Sequence, residues 1–154
     1  MHEIDKVILD HFAHTGDDTQ NLVRRVPAEF LPQTPEGHEW SILDHLLHIA
    51  DGANWWMAEV MGDGLGFVPQ SGRQSDAILP AMTESRERLL SFFTAGNGEA
   101  MDRLFQIEHA GITEKKSGRV HVLDIIDHEV HHRAKIMFGL RQLGFVDYPV
   151  LPIS

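Results

Sequence analysis

Histidine is the residue type whose number and spacing most clearly indicate chemistry in this chain of 154 residues. The chain has 11 His and no Cys, so a metal site would have to use imidazole, carboxylate or carbonyl ligands. Disulfides, thiolate nucleophiles and iron–sulfur clusters are excluded. Imidazole exchanges protons near neutral pH and is the commonest protein ligand of transition metals. The positions of the His residues therefore decide which chemistry is available.

The densest group of His lies in a predicted helix, where His128 and His132 are four positions apart. On an α-helix this spacing places both imidazoles on one face, one turn apart, so that both can reach one cation. Another predicted helix carries His45 and His48, three positions apart. Imidazoles that face each other in a small core need hydrogen-bond partners or a metal. The spacing is thus typical of either a metal site or satisfied core histidines.

Three kinds of metal site match parts of this pattern. The string from His128 to His132 matches the zinc-protease motif H-E-x-x-H, but no Glu follows Glu129 to serve as a third ligand. Glu129 and His132 also match the Glu-x-x-His element of di-iron bundles, of which the chain has no second copy. A site of His48, His128 and His132, with positions left open for water or substrate, requires no missing residue. This three-His site is our prediction.

Acidic residues near these His are candidates for proton transfer. We predict this role for Glu129 and Asp51, while noting that acids on a helix are more often solvated. Further candidates for the same role are His45, His131 and Glu59.

Other side chains near the predicted site have two possible roles each. Arg133 binds either a substrate carboxylate or a carboxylate on the protein surface. The aromatic residues Trp55, Trp56 and Phe67 form either a wall of the site or part of the core or of a dimer interface.

The charge balance excludes several classes of partner. The formal net charge is −10 at pH 7, which repels phosphate backbones and anionic lipids, so we expect no nucleic-acid or membrane partner. The N-terminal residues have no leader pattern, and no apolar run is long enough for a membrane span. A cytoplasmic protein that acts on a small molecule is the expectation.

Hydrophobic periodicity predicts the elements that position the His residues. Four stretches have the helical period and no composition shift separates them, so we predict one all-α domain over residues 1–154, a four-helix bundle. The helices are predicted at Glu3–Arg25, at Ser41–Met61, from a start between Ser75 and Pro80, and at Arg119–Leu143. Core positions include Ile4, Val7, Ile8, His11, Phe12, Thr15, Thr19 and Leu22 in the first helix, Ile78, Met82, Ser85, Leu89 and Phe92 in the third, and Val122, Ile125, Val130, Ile136, Leu140 and Leu143 in the last.

The connections between these helices determine the topology. The second and third connections are longer than antiparallel neighbours need, which favours crossovers over a simple up-down bundle. Residues 96–118 are predicted to form either a small hairpin or a short helix at Glu99–Ile107. The tail at Tyr148–Pro152 is predicted to be extended.

Three segments, in order, resemble the DinB-like family. Val26–Phe30 with its Pro-rich turn is similar to the stretch after the family's first helix, Trp40–Asp51 is similar to its W-S-I-x-x-x-L-x-H-I-A helix, and His128–Arg133 is similar to its H-x-x-x-H-R. Many relatives continue with Gly-Gln where this chain has Ala134 and Lys135. The resemblance implies a four-helix bundle of unusual connectivity, commonly dimeric.

The resemblance also implies a site and a range of activities. The matching His48, His128 and His132 would bind a divalent metal such as Ni²⁺ or Zn²⁺. Several branches of the wider superfamily use low-molecular-weight thiols, as thiol S-transferases or as a thiol-dependent isomerase. Two hypotheses follow: a metal-dependent transferase or hydrolase, or a non-catalytic metal-binding or stress-response bundle. A bundle that binds no metal is a third possibility.

Overall fold

Four long helices and one hairpin make up the computed structural model, which describes residues 1–62, 75–109 and 111–145. The long helices are α1 (Glu3–Arg25), α2 (Ile42–Trp55), α3 (Ile78–Thr94) and α5 (Gly118–Gln142), with a short α4 (Glu99–Asp102) between α3 and the hairpin. The antiparallel hairpin pairs β1 (Leu104–His109) with β2 (Ile112–Ser117). The predicted four-helix bundle is confirmed.

The packing order confirms a crossover for the third connection, which joins α3 to α5 across the bundle, whereas the second connection joins neighbouring helices. The long helices pack as α1 with α5, α5 with α2, α2 with α3 and α3 with α1. Helices α1 and α2 follow each other in the chain but are not among these close pairs. They therefore lie diagonally across the bundle, and α5 is a neighbour of both.

Two apolar clusters fill the bundle, one toward each end. The first includes Ile8, Leu89, Phe93 and Val122, and the second includes Leu22, Leu46, Met82, Ile136 and Leu140. Along α1, α3 and α5, the inward-facing side chains between the two clusters are polar: Thr15, Thr19, Ser85, Arg86, Glu129 and Arg133. A polar layer therefore divides the core.

Several details differ from the predicted pattern. Phe93, not Phe92, is the fully buried residue near the end of α3. Ile4, Val7 and His11 in α1 and Val130 in α5 are exposed, because each helix turns a neighbouring stripe inward. When the apolar stripe of a helix is wide, hydrophobic periodicity alone does not distinguish exposed residues at the edge of the stripe from core residues.

Residues 96–118 were predicted to form either a hairpin or a short helix, and the structure contains both. The helical residues end at Asp102 and the hairpin begins at Leu104, so Glu99–Ile107 divides between the two. A 3₁₀ turn at Ser75–Ala77 precedes α3, and Pro80 is tolerated there because it lies in the first turn of the α-helix. Predictions for Phe67 and for Tyr148–Pro152 fall outside the described residues.

Candidate metal centre

The local sequence around Ser41 fixes where α2 begins and hence where its His residues lie. The Ser41 hydroxyl accepts a hydrogen bond from the backbone N–H of Asp44, and the Asp44 carboxylate accepts one from the backbone N–H of Ser41. This reciprocal cap is a strong helix start. It places His45 and His48 in the first two turns of α2, where they contact α5.

The three predicted ligands converge between α2 and α5. One ring nitrogen of each of His48, His128 and His132 lies within 4.8 Å of the other two. The Nε2 atoms of His48 and His128 are 3.0 Å apart. The structure therefore brings together the three residues that sequence spacing selected from 11 His.

The donor geometry fits one divalent ion. The ring nitrogens of His48, His128 and His132 lie within 4.8 Å of one another, which is close enough for all three to bind one ion after small adjustments of the rings. Three neutral nitrogen donors on one side of an ion also leave positions for water or substrate. The residues present thus fit a facial three-His site.

Gly52 allows His128 to approach α2 closely. A Cβ atom added at Gly52 would lie 2.7 Å from Cε1 of the His128 ring. Any larger residue would therefore push this ring away from His48. Gly52 lies one turn after His48 on the same face of α2.

Two aromatic residues hold the His132 ring. Its Nδ1 is 3.0 Å from Nδ1 of His45, which is itself only 4% exposed. The indole of Trp40 stacks on His132 with an interplanar angle of 11°. The remaining nitrogen of His132, Nε2, is left for a metal. His45 was a predicted outer residue of the site, whereas Trp40 had entered the sequence analysis only as part of a motif.

Burial keeps these imidazoles neutral. Desolvation is the main reason that the pKa of His132 falls to about 3 and that the pKa values of His45 and His128 fall to about 4. Burial also lowers the pKa of His48, and the negative charge of Asp51 opposes this. A neutral imidazole has the lone pair that a metal needs.

The two predicted proton-transfer acids lie in different surroundings. Asp51 is half-buried one turn from His48, and its charge acts on that ring. Glu129 is buried, and its carboxylate accepts a hydrogen bond of 2.5 Å from Nη2 of Arg86 in α3. Glu129 is thus part of an ion pair that links α5 to α3.

Arg133 is also buried in the polar layer. It donates through Nη1 to the backbone carbonyl of Thr15 and to Oγ1 of Thr19, both in α1. It also lies 3.7 Å from the partly exposed carboxylate of Asp18, so it ties α5 to α1 and takes the predicted role of pairing with a carboxylate of the protein. The pairing of Arg86 with Glu129 was not predicted, because the two residues lie 43 positions apart and no sequence spacing relates them.

Trp56 lies beside the three-His cluster, and Trp55 packs edge-on against Trp56. A π-helical turn at Trp56–Val60 follows α2, a feature often found at functional sites. The Trp56 indole N–H donates to Nδ1 of His121, and its ring lies 6.1 Å from His128. With Ile107 and Glu114, Trp55 and Trp56 line a cavity of about 430 Å³.

The remaining proton-transfer candidates lie at the margin of the centre. His131 is exposed, although its ring meets His132 edge-on at 5.2 Å. Glu59 is exposed on the π-helical turn and lines a separate cavity with Trp55. Neither side chain completes the three-His cluster.

Comparison with known proteins agrees with this architecture. The model of the DinB family matches residues 1–150. A crystal structure assigned to the DinB family from Exiguobacterium sibiricum 255-15 has a TM-score of 0.73 at 18% identity and covers 98% of each chain. A DinB-like protein from Bacillus subtilis has a TM-score of 0.65 at 20% identity and covers 92% of this chain and 95% of its own. A search of curated proteins found no significant match.

Proposed function

The chain belongs to the DinB family, and from that premise we propose that it binds one divalent metal ion through His48, His128 and His132. The convergence of the three ring nitrogens carries this proposal. Zn²⁺ and Ni²⁺ are the ions we expect, since both suit imidazole ligands. The Glu129–Arg86 pair argues against the zinc-protease interpretation, in which Glu129 would act on water.

We further propose that the protein is a metal-dependent enzyme of the thiol S-transferase or hydrolase type acting on a small molecule. A divalent ion with three neutral ligands keeps its positive charge and lowers the pKa of water or of a thiol bound to it. A chain without Cys could in this way use a thiol supplied as co-substrate.

The residues around the ligands have defined roles in this proposal. His45 accepts the hydrogen bond that orients His132, and the Trp40 ring shields one face of the same imidazole. We retain Asp51 as the proton-transfer group, because it lies beside His48 and the carboxylate of Glu129 is held by Arg86. A carboxylate that receives a proton near the metal is the requirement for general base catalysis.

Metal analysis tests the site. Untagged protein should contain about one divalent ion per chain by elemental mass spectrometry, and a His128→Ala, His132→Ala variant should contain none. A scan of thiols with electrophilic substrates would follow. Equal metal content in both proteins would refute the proposal.

A structural metal in a non-catalytic bundle is the second candidate. It is supported by the position of the three residues between two long helices, where His132 is buried and His48 and His128 are half-buried. Removing a structural metal costs several kcal/mol of folding free energy, whereas a preformed catalytic site loses less. Melting of the protein with and without the metal distinguishes the two.

We also propose a homodimer. Apolar side chains are exposed along neighbouring faces of α1 and α5, at Ile4, Val7, Val120, Leu123 and Val130. In α5 they recur at three- and seven-residue steps, as on a helix that packs against another helix. Burial of this stripe by a second copy would remove it from water.

A further inference from the structure

A cavity of about 450 Å³ lies directly beside the metal centre. This volume is typical of pockets for small organic ligands. One wall is His132, so that a ligand in the cavity would lie next to the metal. The residues that line it are Gly37, His38, Glu39, Trp40, His45, His132 and Lys135.

The hydrogen bond between His45 and His132 has a direction that a metal would fix. Their Nδ1 atoms are 3.0 Å apart, so one ring must donate and the other must accept. With a metal on Nε2 of His132, the proton of that neutral ring is on Nδ1, and His132 donates. His45 then accepts at Nδ1 and must carry its own proton on Nε2.

His45 consequently offers a hydrogen-bond donor to the cavity. Within the described parts of the chain, its ring hydrogen-bonds only to His132, and the ring is part of the cavity lining. An N–H group on a cavity wall donates either to water or to an acceptor group on a ligand.

The charges around the cavity favour a negatively charged ligand. Lys135 lines the cavity together with His45 and His132, and its positive charge acts on both His45 and His48. No ion pair is formed by Lys135 among the residues that the structure describes. Exposed Glu39 offsets one positive charge, and three neutral His leave the charge of a bound divalent ion uncompensated.

We propose that this cavity binds the carboxylate of a small organic acid, which accepts a hydrogen bond from Nε2 of His45 and pairs with the ammonium of Lys135. The indole of Trp40 provides a flat wall for the body of the ligand. This inference rests on the proposed metal site, because a metal on His132 sets the direction of the His45 hydrogen bond. It extends that proposal by giving the substrate class.

Binding of benzoate and of its neutral analogue benzamide to the Zn²⁺-loaded protein tests the proposal. We expect benzoate to bind at least about tenfold more tightly in an NMR titration, and to shift the indole N–H resonance of Trp40. The Lys135→Met variant should lose about five- to tenfold of the benzoate affinity and keep its weak benzamide affinity. Lys115→Met, which removes an exposed lysine of β2, should change neither.

A second variant examines the His45 donor. His45→Gln keeps an N–H group near the position of Nε2 and should retain most of the benzoate affinity, whereas His45→Leu should lose it. The zinc content of each sample is measured alongside. If His45→Leu also releases zinc, the comparison of Lys135→Met with Lys115→Met decides the result.

The outcomes separate this inference from the proposed function. Stoichiometric zinc with equal affinities for benzoate and benzamide would overturn the carboxylate site alone. The same holds if Lys135→Met and Lys115→Met behave alike, since benzoate would then be bound by the metal only. Tighter binding of phenyl phosphate than of benzoate would assign the cavity to phosphate esters. A protein that takes up no zinc overturns both proposals.

Discussion

Burial governs the behaviour of the individual histidines in the centre. His45 and His132 are almost fully buried, and the cost of placing a charge there lowers their pKa values far below that of a free imidazole. The spacing of His128 and His132 indicated that both rings could reach one ion, but it carried no information on solvent exposure. The proton affinity of the site therefore had to come from the structure.

Metal binding should depend little on pH in the acid range. Because the pKa values of His128 and His132 are about 4 and about 3, protons should not compete with Zn²⁺ at pH 5.5. We expect the affinity to fall less than about tenfold from pH 7.5 to 5.5, whereas three ordinary imidazoles would lose about a thousandfold. Competition titrations with a chelator at each pH measure this.

The same shifts make the metal-free protein acid-sensitive. Below about pH 6.5 the unfolded chain binds protons at His residues that stay neutral in the fold, so stability falls from there toward about pH 4. Urea unfolding of metal-free protein at several pH values measures whether its stability falls as the pH is lowered. A thousandfold loss of zinc affinity by pH 5.5 would contradict the low pKa values.

Gly52→Ala should weaken metal binding although alanine favours helices. The new Cβ would meet the His128 ring at 2.7 Å and displace it from His48. Changes that misorient a ligand typically reduce metal affinity about 10- to 100-fold, which isothermal titration would detect.

A matched glycine variant controls for the general effect of the change. In Gly16→Ala the new Cβ would meet the Arg86 side chain at 1.7 Å, in the polar layer rather than at the metal centre. It should lower stability and leave the zinc affinity unchanged. Equal zinc affinities in Gly52→Ala and in the parent would show that His128 tolerates the displacement.

Helix α5 contributes residues to both the candidate metal centre and the polar layer of the core. His128 and His132 contact α2, while the adjacent Glu129 and Arg133 contact α3 and α1. Sequence period located the helix but not these faces, since polar and apolar residues share its inward side. The role of Glu129 could not be predicted, because its partner Arg86 is set by tertiary packing.

The Arg86–Glu129 pair should stabilise the bundle without contributing to the metal site. Arg86→Met leaves a buried carboxylate without its partner, a change that typically costs about 3–5 kcal/mol of unfolding free energy. The double variant Arg86→Met, Glu129→Leu removes both charges and should recover most of this loss in urea titrations.

Zinc affinity tests whether the pair contributes to metal binding. The double variant should bind Zn²⁺ as tightly as the parent, because neither residue is a ligand. A double variant as unstable as Arg86→Met alone would show that the pair is not the source of the stability. Activity, once a substrate is known, should likewise survive the double change.

At the scale of the whole molecule, the order of the helices was largely predictable and their arrangement less so. Helix boundaries followed from Ser41, Gly144 and the apolar period, and the long connections indicated crossovers. Which helices pack together depends on contacts between distant residues, which one sequence does not display. Among the described residues no helix is both long and apolar enough to cross a bilayer.

The exposed stripe of α1 and α5 should hold two copies together. We expect light scattering to give about twice the 17.4 kDa of the chain, since the stripe is apolar on both helices. Leu123→Glu with Val130→Glu should shift the protein to monomer. Ile112→Glu, at an exposed apolar position of β2, should not, and a monomeric parent protein would exclude the dimer.

The distance along the chain between the ligands determines when the site can exist. His48 and His128 are 80 positions apart, and His45 and His132 are 87 apart. During synthesis the first 100 residues could build α1 to α3 yet would contain only one of the three ligands. The proposed metal would thus be captured only after α5 has emerged and docked, so that its loading would report on completed folding rather than guide the early steps.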